Sequence, residues 1–459
     1  MIKSYRSREV RPRLWSGMLL WSFWLLGVAA ATAQDPDPAA SGAPSGPRTV
    51  TLDQALELAH EHSPLLQQAR AELQTSRAAV RTAYGAFLPS LSGGSSYSRA
   101  SRQRYDPNTD RTVSAGSSES YSTSLSSSLD LFNGGRRLAD LRGAKASRAA
   151  AKYALAGERA DLELSVKQAF FTALSAQDLV RVERERLERA ETQLSFSSEQ
   201  VRYGTATVSD SLRAVLEVRN AEMALVQAQQ DREVARMELA RVIGLAGPLA
   251  VTAEDLPEPR DVRLDTEGIL VETLAQAPSV RESRARLESS EASYTASKSG
   301  YFPSLDASYS MRWSGDQPIL EEEGRNRTWS IRLGLSYAIF NGFRREENVA
   351  RSRANLVSAR ASLRQAELSV MTDMTEALGN LEAARFAIIS GEQAVVVAEE
   401  DLRVQQERYS SGVSTLLDVL TSQVALDEAR VNLIRARFDF RVALARIESL
   451  LGRTIEEES

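Results

Sequence analysis

Residues equipped for chemistry are scarce. The chain of 459 residues contains no cysteine, and its only histidines are His60 and His62. Without cysteine there is no disulfide, no thiolate-bound zinc or iron–sulfur cluster and no thiol nucleophile. The two histidines stand two apart in a helical segment, so they do not share a face and cannot chelate one ion. The 61 acidic residues are spread along charged segments, and no two stand out as an acid/base couple. No enzyme, metal site or cofactor is expected. The carboxylates that invite a reading are Asp210 and Asp418, each early in a short helical segment, where a negative charge stabilises the helix N-terminus.

The balance of 56 basic against 61 acidic residues gives no basic domain, so nucleic acid is not a partner. A hydrophobic fraction of 42% and a mean hydropathy of −0.30 exclude a bundle of transmembrane helices. The N-terminus has its own signal. Lys3, Arg6, Arg8, Arg11 and Arg13 precede an apolar run over 14–31, followed by Ala31-Thr32-Ala33. Basic, apolar, then small-x-small is a secretory signal, here 1–33, and the Pro-, Ala- and Ser-rich 34–50 reads as a flexible leader.

The rest of the chain repeats itself. Ser63-Pro64 recurs as Ala277-Pro278, and Phe87-Leu88-Pro89-Ser90-Leu91 as Tyr301-Phe302-Pro303-Ser304-Leu305, both 214 residues on. Phe132-Asn133-Gly134 recurs as Phe340-Asn341-Gly342, and Asp210-Ser211-Leu212 as Asp418-Val419-Leu420, both 208 residues on. Two copies of one unit are expected, 51–249 and 265–456, joined by a linker at 250–264. The period far exceeds that of solenoids, so each copy is a substantial substructure.

Each unit reads as four pieces. The first is a helix over 52–86 or 266–300, opened in unit one by a Thr51/Gln54 capping box and ended by Pro89 or Pro303. The second alternates with period two: Trp329, Ile331, Leu333, Leu335, Tyr337 and Ile339 share one face, and Leu305 to Trp313 alternate before them. Unit one shows a weaker version at Tyr121, Thr123, Leu125, Ser127, Leu129 and Leu131. Each unit therefore has a two-stranded hairpin, with tips near Asp106-Pro107-Asn108 and in 321–327. The third piece is a helix over 136–203 or 344–409, on a heptad ladder: Val166, Ala173, Val180, Leu187, Leu194 and Val201 against Met374, Leu381, Ile388, Val395, Leu402 and Tyr409. A heptad sustained this long means coiled-coil packing. The fourth is a shorter helix over 209–243 or 416–450.

Four strands cannot close a barrel, and open edges are not tolerated in lipid. Three copies supply twelve strands, enough for an outer-membrane barrel. The Trp329 face is then the lipid face, with Trp313 and Trp329, the tryptophans left after the signal, marking it. The fold expected is mainly α with a small β part: coiled-coil helices forming a trimeric α-barrel, and four strands per chain contributing to a 12-stranded transmembrane β-barrel.

These motifs, in this order and twice over, resemble the TolC-like outer membrane efflux protein family across 51–456. The resemblance implies a homotrimer in the outer membrane of a Gram-negative bacterium, reaching into the periplasm. It implies a passive exit duct of a tripartite efflux or type I secretion system, fed by an inner-membrane transporter through a periplasmic adaptor. The helix-to-helix turns at Tyr203, Gly204, Tyr409 and Gly412 become adaptor-docking tips. A periplasmic gate falls on Asp418 and Asp210, three copies of an inward Asp making a ring on the axis. The family's second gate aspartate corresponds here to Thr421, and its basic gate residue to Ser414. Trp313, Trp329, Ile331, Leu333, Leu335 and Tyr337 become lipid contacts. Two rival readings are a periplasmic adaptor, which needs β-rich halves around one helical hairpin, and a secreted coiled-coil protein, which leaves the Trp329 face unexplained.

Overall fold

In a computed structural model, residues 48–106, 110–204, 206–252, 266–316 and 326–453 are described. The expected signal segment 1–33, most of the expected leader and linker, the tip residues 107–109 and 317–325, and 454–459 lie outside them.

Strand β1 (Arg48–Val50) pairs in parallel with β4 (Leu249–Val251). The end of the expected leader and the start of the expected linker are therefore structured, and they join the two ends of repeat one. Their valines are buried in the main core with Phe170, Leu239 and Ile243.

The first helical piece is broken, contrary to expectation. Helix α1 spans Leu52–His62 and α2 spans Pro64–Gly85. The Thr51 capping box forms at α1, with Gln54 N donating to Thr51 Oγ1 at 3.4 Å. Pro64 has no N–H and is tolerated only at a first helical position, so the chain restarts there with the Ser63 hydroxyl accepting from Leu66 N. The same break at Ala277-Pro278 separates α5 (Thr266–Gln276) from α6 (Pro278–Ser297).

Helices α3 (Arg136–Arg202) and α7 (Arg344–Ser410) have 67 residues each, about 100 Å at 1.5 Å per residue. The heptad ladder lies on their packed side: Val166, Ala173, Val180, Met374, Leu381 and Leu402 are buried. Helices α4 (Val208–Ile243) and α8 (Leu416–Leu451) follow the turns. Helix α3 packs on α2 and α6, then on α4 and α8, while α7 packs on α6 and α8. The helices thus form a layer with two free sides, α2 and α4 on one and α7 on the other.

Strands β2 (Ser90–Asp106), β3 (Arg111–Asn133), β5 (Ser304–Gly315) and β6 (Asn326–Ser336) form one antiparallel sheet in the order β2-β3-β5-β6. Both unit-one strands run longer than the unit-two pair. Two expectations shift here. Tyr337 and Ile339 lie past the end of β6, and a register shift between Asp130 and Phe132 removes Leu131 from the apolar row and puts Phe132 opposite Leu305.

Candidate functional site

Cross-strand partners in a sheet share a face, so the register fixes two surfaces. On one, Trp329 pairs with Met311, Ile331 with Tyr309, Leu333 with Ala307 and Leu335 with Leu305. Leu125 and Leu129 of β3 join them. Ile331 is 71% exposed and Leu335 75% exposed in the protomer, an apolar sheet face open to its surroundings. Trp313 lies on the same face, half-buried, opposite Thr123 and Arg327. Aromatic residues bound the band: Tyr97 and Tyr121, rings 4.8 Å apart, beyond Trp313 at one end, and Phe132 at the other. From Trp313 to Leu305 the strand advances about 27 Å, and tilted by the usual 35–45° it spans most of an apolar band about 25 Å tall.

The opposite surface is polar and rich in serine, with Asp130, Asp306, Arg312 and Arg332 among the serines. Ser90 and Ser128 hydroxyls stand 2.8 Å apart, Ser92 and Ser126 2.7 Å, Ser96 and Ser122 2.9 Å, and Ser310 and Ser330 2.9 Å. These hydroxyls satisfy one another across the strands and, with the charged residues among them, leave a water-compatible surface.

Where strand becomes helix, an arginine in each repeat clamps the corner. Arg137 donates to the carbonyls of Ala86 (3.2 Å) and Leu131 (3.1 Å) and stacks on Phe87 at 5.1 Å. Arg345 donates to Gly300 (3.4 Å) and Ala338 (3.2 Å) and stacks on Tyr301 at 4.6 Å. Each reaches from the first turn of a long helix to the end of the helix before the hairpin. Sequence reasoning missed both. Their signal was an arginine at the same place in each repeat, 208 residues apart.

At the far ends of α3 and α7 lie the turns. Gly204 and Gly412 both have φ of 73°, a left-handed conformation that a side chain resists. Tyr203 is 73% exposed. Tyr409 instead turns back, half-buried, with its ring edge-on to Phe196 of α3 at 6.1 Å. Asp418 Oδ2 accepts from Thr415 N (2.8 Å), Thr415 Oγ1 (2.7 Å) and Ser414 Oγ (3.0 Å). These bonds, the backbone one first, hold its carboxyl below the usual range. Asp210 caps α4 the same way through Thr207. The Thr421 hydroxyl donates to its own helix at Leu417 O. The expected gate residues of α8 are thus brought together as a helix cap, with Thr421 one turn on.

The description "outer membrane efflux protein" matches the chain twice, over residues 55–245 and 269–453. The chain belongs to the outer membrane efflux protein family. CyaE of Bordetella pertussis is 26% identical over 91% of this chain and 89% of its own length. TolC of Escherichia coli is 23% identical over 91% of this chain and 85% of its own. The crystal structure of the Campylobacter jejuni CmeC outer membrane channel superposes with a TM-score of 0.77 at 16% identity, covering 89% of this chain and 87% of that one. The expected fold class, location and role as an outer-membrane exit duct stand, and the adaptor and secreted coiled-coil readings fall.

One further feature of this efflux protein was invisible in its sequence. Where α3 meets α8, Arg189 pairs with Asp427 and Arg430 lies 3.1 Å from Glu185; beside them Arg186 lies 2.8 Å from Glu217 of α4, and Arg430 2.8 Å from Glu399 of α7. Asp427 is buried, and that burial pushes its carboxyl up despite Arg189 and Arg186 beside it. The seam between the two repeats is therefore ionic. By the 208-residue offset, Glu185 and Arg189 of α3 correspond to Gln393 and Val397 of α7, so the free side of α7 lacks those charges.

Proposed function

We propose that three copies of the chain close head-to-tail into one continuous duct, the α7 side of each meeting the α4 side of the next. The observation that carries this reading is what the two free sides expose. Helix α4 exposes Leu212, Leu216, Met223 and Val226 on one stripe, and α7 exposes Phe386, Ile389, Val396 and Val397. These are coiled-coil faces without a partner in the protomer. Edge strands β2 and β6 are unpaired as well, and a barrel in lipid must close its edges. One rotation joining α4 to α7 and β2 to β6 satisfies both, which is a closed heterologous ring. The serine face then lines the bore and the Trp329 face meets outer-membrane lipid.

In this reading the duct does no chemistry. A periplasmic adaptor grips the tips at Tyr203, Gly204, Tyr409 and Gly412, and an inner-membrane transporter supplies the energy. Asp418, with Asp210 in the equivalent place of repeat one, narrows the periplasmic mouth: Oδ2 holds the cap, which leaves Oδ1 to face the axis. The test is direct. The mature protein should fractionate with the outer membrane, migrate as a trimer and form pores in planar bilayers, and Phe386→Glu should abolish the trimer. Recovery of the wild type as a soluble periplasmic monomer would overturn the proposal.

A further inference from the structure

The two strand-to-helix corners are built alike but finished differently. In repeat one, Asn133 Oδ1 accepts from the backbone N–H of Arg137, in the first turn of α3, at 3.3 Å. In repeat two, the equivalent Asn341 Oδ1 is buried with no hydrogen-bond partner. A buried acceptor without a partner is costly. Asn341 lines a cleft of about 490 Å³ with Arg136, Ser299, Arg345, Asn348 and Arg351. Arg345 is fixed there by the Gly300 and Ala338 carbonyls. Arg136 and Arg351 are held only by exposed pairs along their own helices, with Asp140 at 3.6 Å and with Glu347. Such pairs exchange readily for a better anion.

The cleft sits at the foot of the apolar band. Tyr337, Ile339 and Phe340 lead directly into Asn341 and are exposed, and Phe343 follows, its ring edge-on to Phe340 at 5.5 Å. Lipid headgroups lie at this depth on the periplasmic side of a barrel that spans the membrane.

We propose that this cleft binds a phosphoethanolamine headgroup of a periplasmic-leaflet lipid, its phosphate on Arg136 and Arg351 and its ammonium donating to Asn341 Oδ1. Guanidinium and phosphate make charge-assisted, bidentate hydrogen bonds. The uncapped first turn of α7 adds N–H groups of favourable polarity. The ammonium supplies the donor that Asn341 lacks, with Asp140 nearby to share its charge. The site rests on the membrane-spanning reading above.

Native mass spectrometry of the delipidated full-length protein tests it, because the protein's own mass reports assembly separately from bound lipid. Phosphatidylethanolamine, phosphatidylcholine, diacylglycerol and inorganic phosphate are the probes. Phosphatidylethanolamine should be retained in preference to phosphatidylcholine, whose headgroup has no N–H, and far above diacylglycerol, which has no phosphate. Arg136→Gln with Arg351→Gln should lower retention about tenfold, as expected for losing charge-assisted bonds. Asn341→Ala should erase the preference for ethanolamine over choline and leave phosphate recognition in place. Equal retention of diacylglycerol would reduce the cleft to apolar adhesion and overturn the proposal. Inorganic phosphate binding as well as the lipid would make it a free-anion site and overturn the headgroup assignment.

Discussion

Arg189 of the first repeat is ion-paired with Asp427 of the second, across the seam where α3 and α8 run side by side. Arg186 lies 3.8 Å from the same carboxylate and binds Glu217, so one buried Asp organises two guanidiniums from the other repeat. Removing it leaves Arg186 to Glu217 and Arg189 with only Glu185, at 3.9 Å. Breaking a fully buried pair costs about 3–5 kcal/mol, and because both arginines keep roughly a quarter of their side chains in water, Asp427→Ala is expected to cost about 2 kcal/mol. Chemical denaturation checks this. The pH dependence has a definite sign. Asp427 titrates above its unfolded value of 3.8, so its ionisation opposes folding, and its contribution improves as pH falls through the folded value. The stability of wild type relative to Asp427→Asn, which cannot titrate, should therefore rise on acidification through that window.

The two sheet faces predict opposite tolerances. Leu333 sits mid-band on the apolar face, where an arginine costs about 2–4 kcal/mol in lipid. Leu333→Arg should impair outer-membrane assembly, measured as the fraction of heat-modifiable trimer. Ser310 is on the adjacent strand but on the serine face, hydrogen-bonded to Ser330 at 2.9 Å. Ser310→Arg should assemble and shift the pore's ion selectivity toward anions. Damage from Ser310→Arg with Leu333→Arg tolerated would mean the faces are reversed, and equal damage would mean that neither face is open to water.

The long helices were legible because a heptad repeated without a break from Val166 to Val201, and again from Met374 to Tyr409, leaves little else for the chain to do. The lipid face of repeat two was legible for the same reason, an alternation without interruption. Repeat one was obscure because serine occupies both faces of β2 and β3, as the Ser95–Thr123 pair on the apolar side shows. The break at Pro64 was written in the sequence but masked by a helical pattern on either side. The Leu131 parity could not be read, since a bulge is a tertiary accommodation with no local signature here. The Arg137 and Arg345 clamps and the Arg189–Asp427 pair join residues far apart in sequence, which periodicity does not report.

Arg345 should be less replaceable than its neighbour Arg344. Its side chain is only 13% exposed, and it holds two carbonyls while covering the Tyr301 ring. Arg345→Ala should destabilise the corner by about 2 kcal/mol, the worth of charge-assisted bonds to carbonyls that would otherwise lose their donor. Arg345→Lys should recover only part, since an ammonium can reach the carbonyls but has no planar guanidinium to stack on the Tyr301 ring. Hydrogen exchange at the start of α7 would show the loss locally, and Arg344→Ala should leave it unchanged.

Asp418 separates two roles that one carboxylate can hold together. Its Oδ2 is committed to Thr415 and Ser414, so Asp418→Ala should speed hydrogen exchange in the first turn of α8 whatever happens at the pore. Because its pKa is depressed in the folded chain, the cap should persist as pH falls to the ordinary aspartate value of 3.8 and loosen only below it. If three copies also ring the periplasmic mouth, Asp418→Ala should weaken block by multivalent cations added from the tip side in planar bilayers, as rings of carboxylates favour cations. Thr415→Ala discriminates between the roles: it removes the cap's hydroxyl but keeps the charge, so it should speed exchange in α8 without abolishing block. Undiminished block in Asp418→Ala, alongside faster exchange, would leave this aspartate as a helix cap alone.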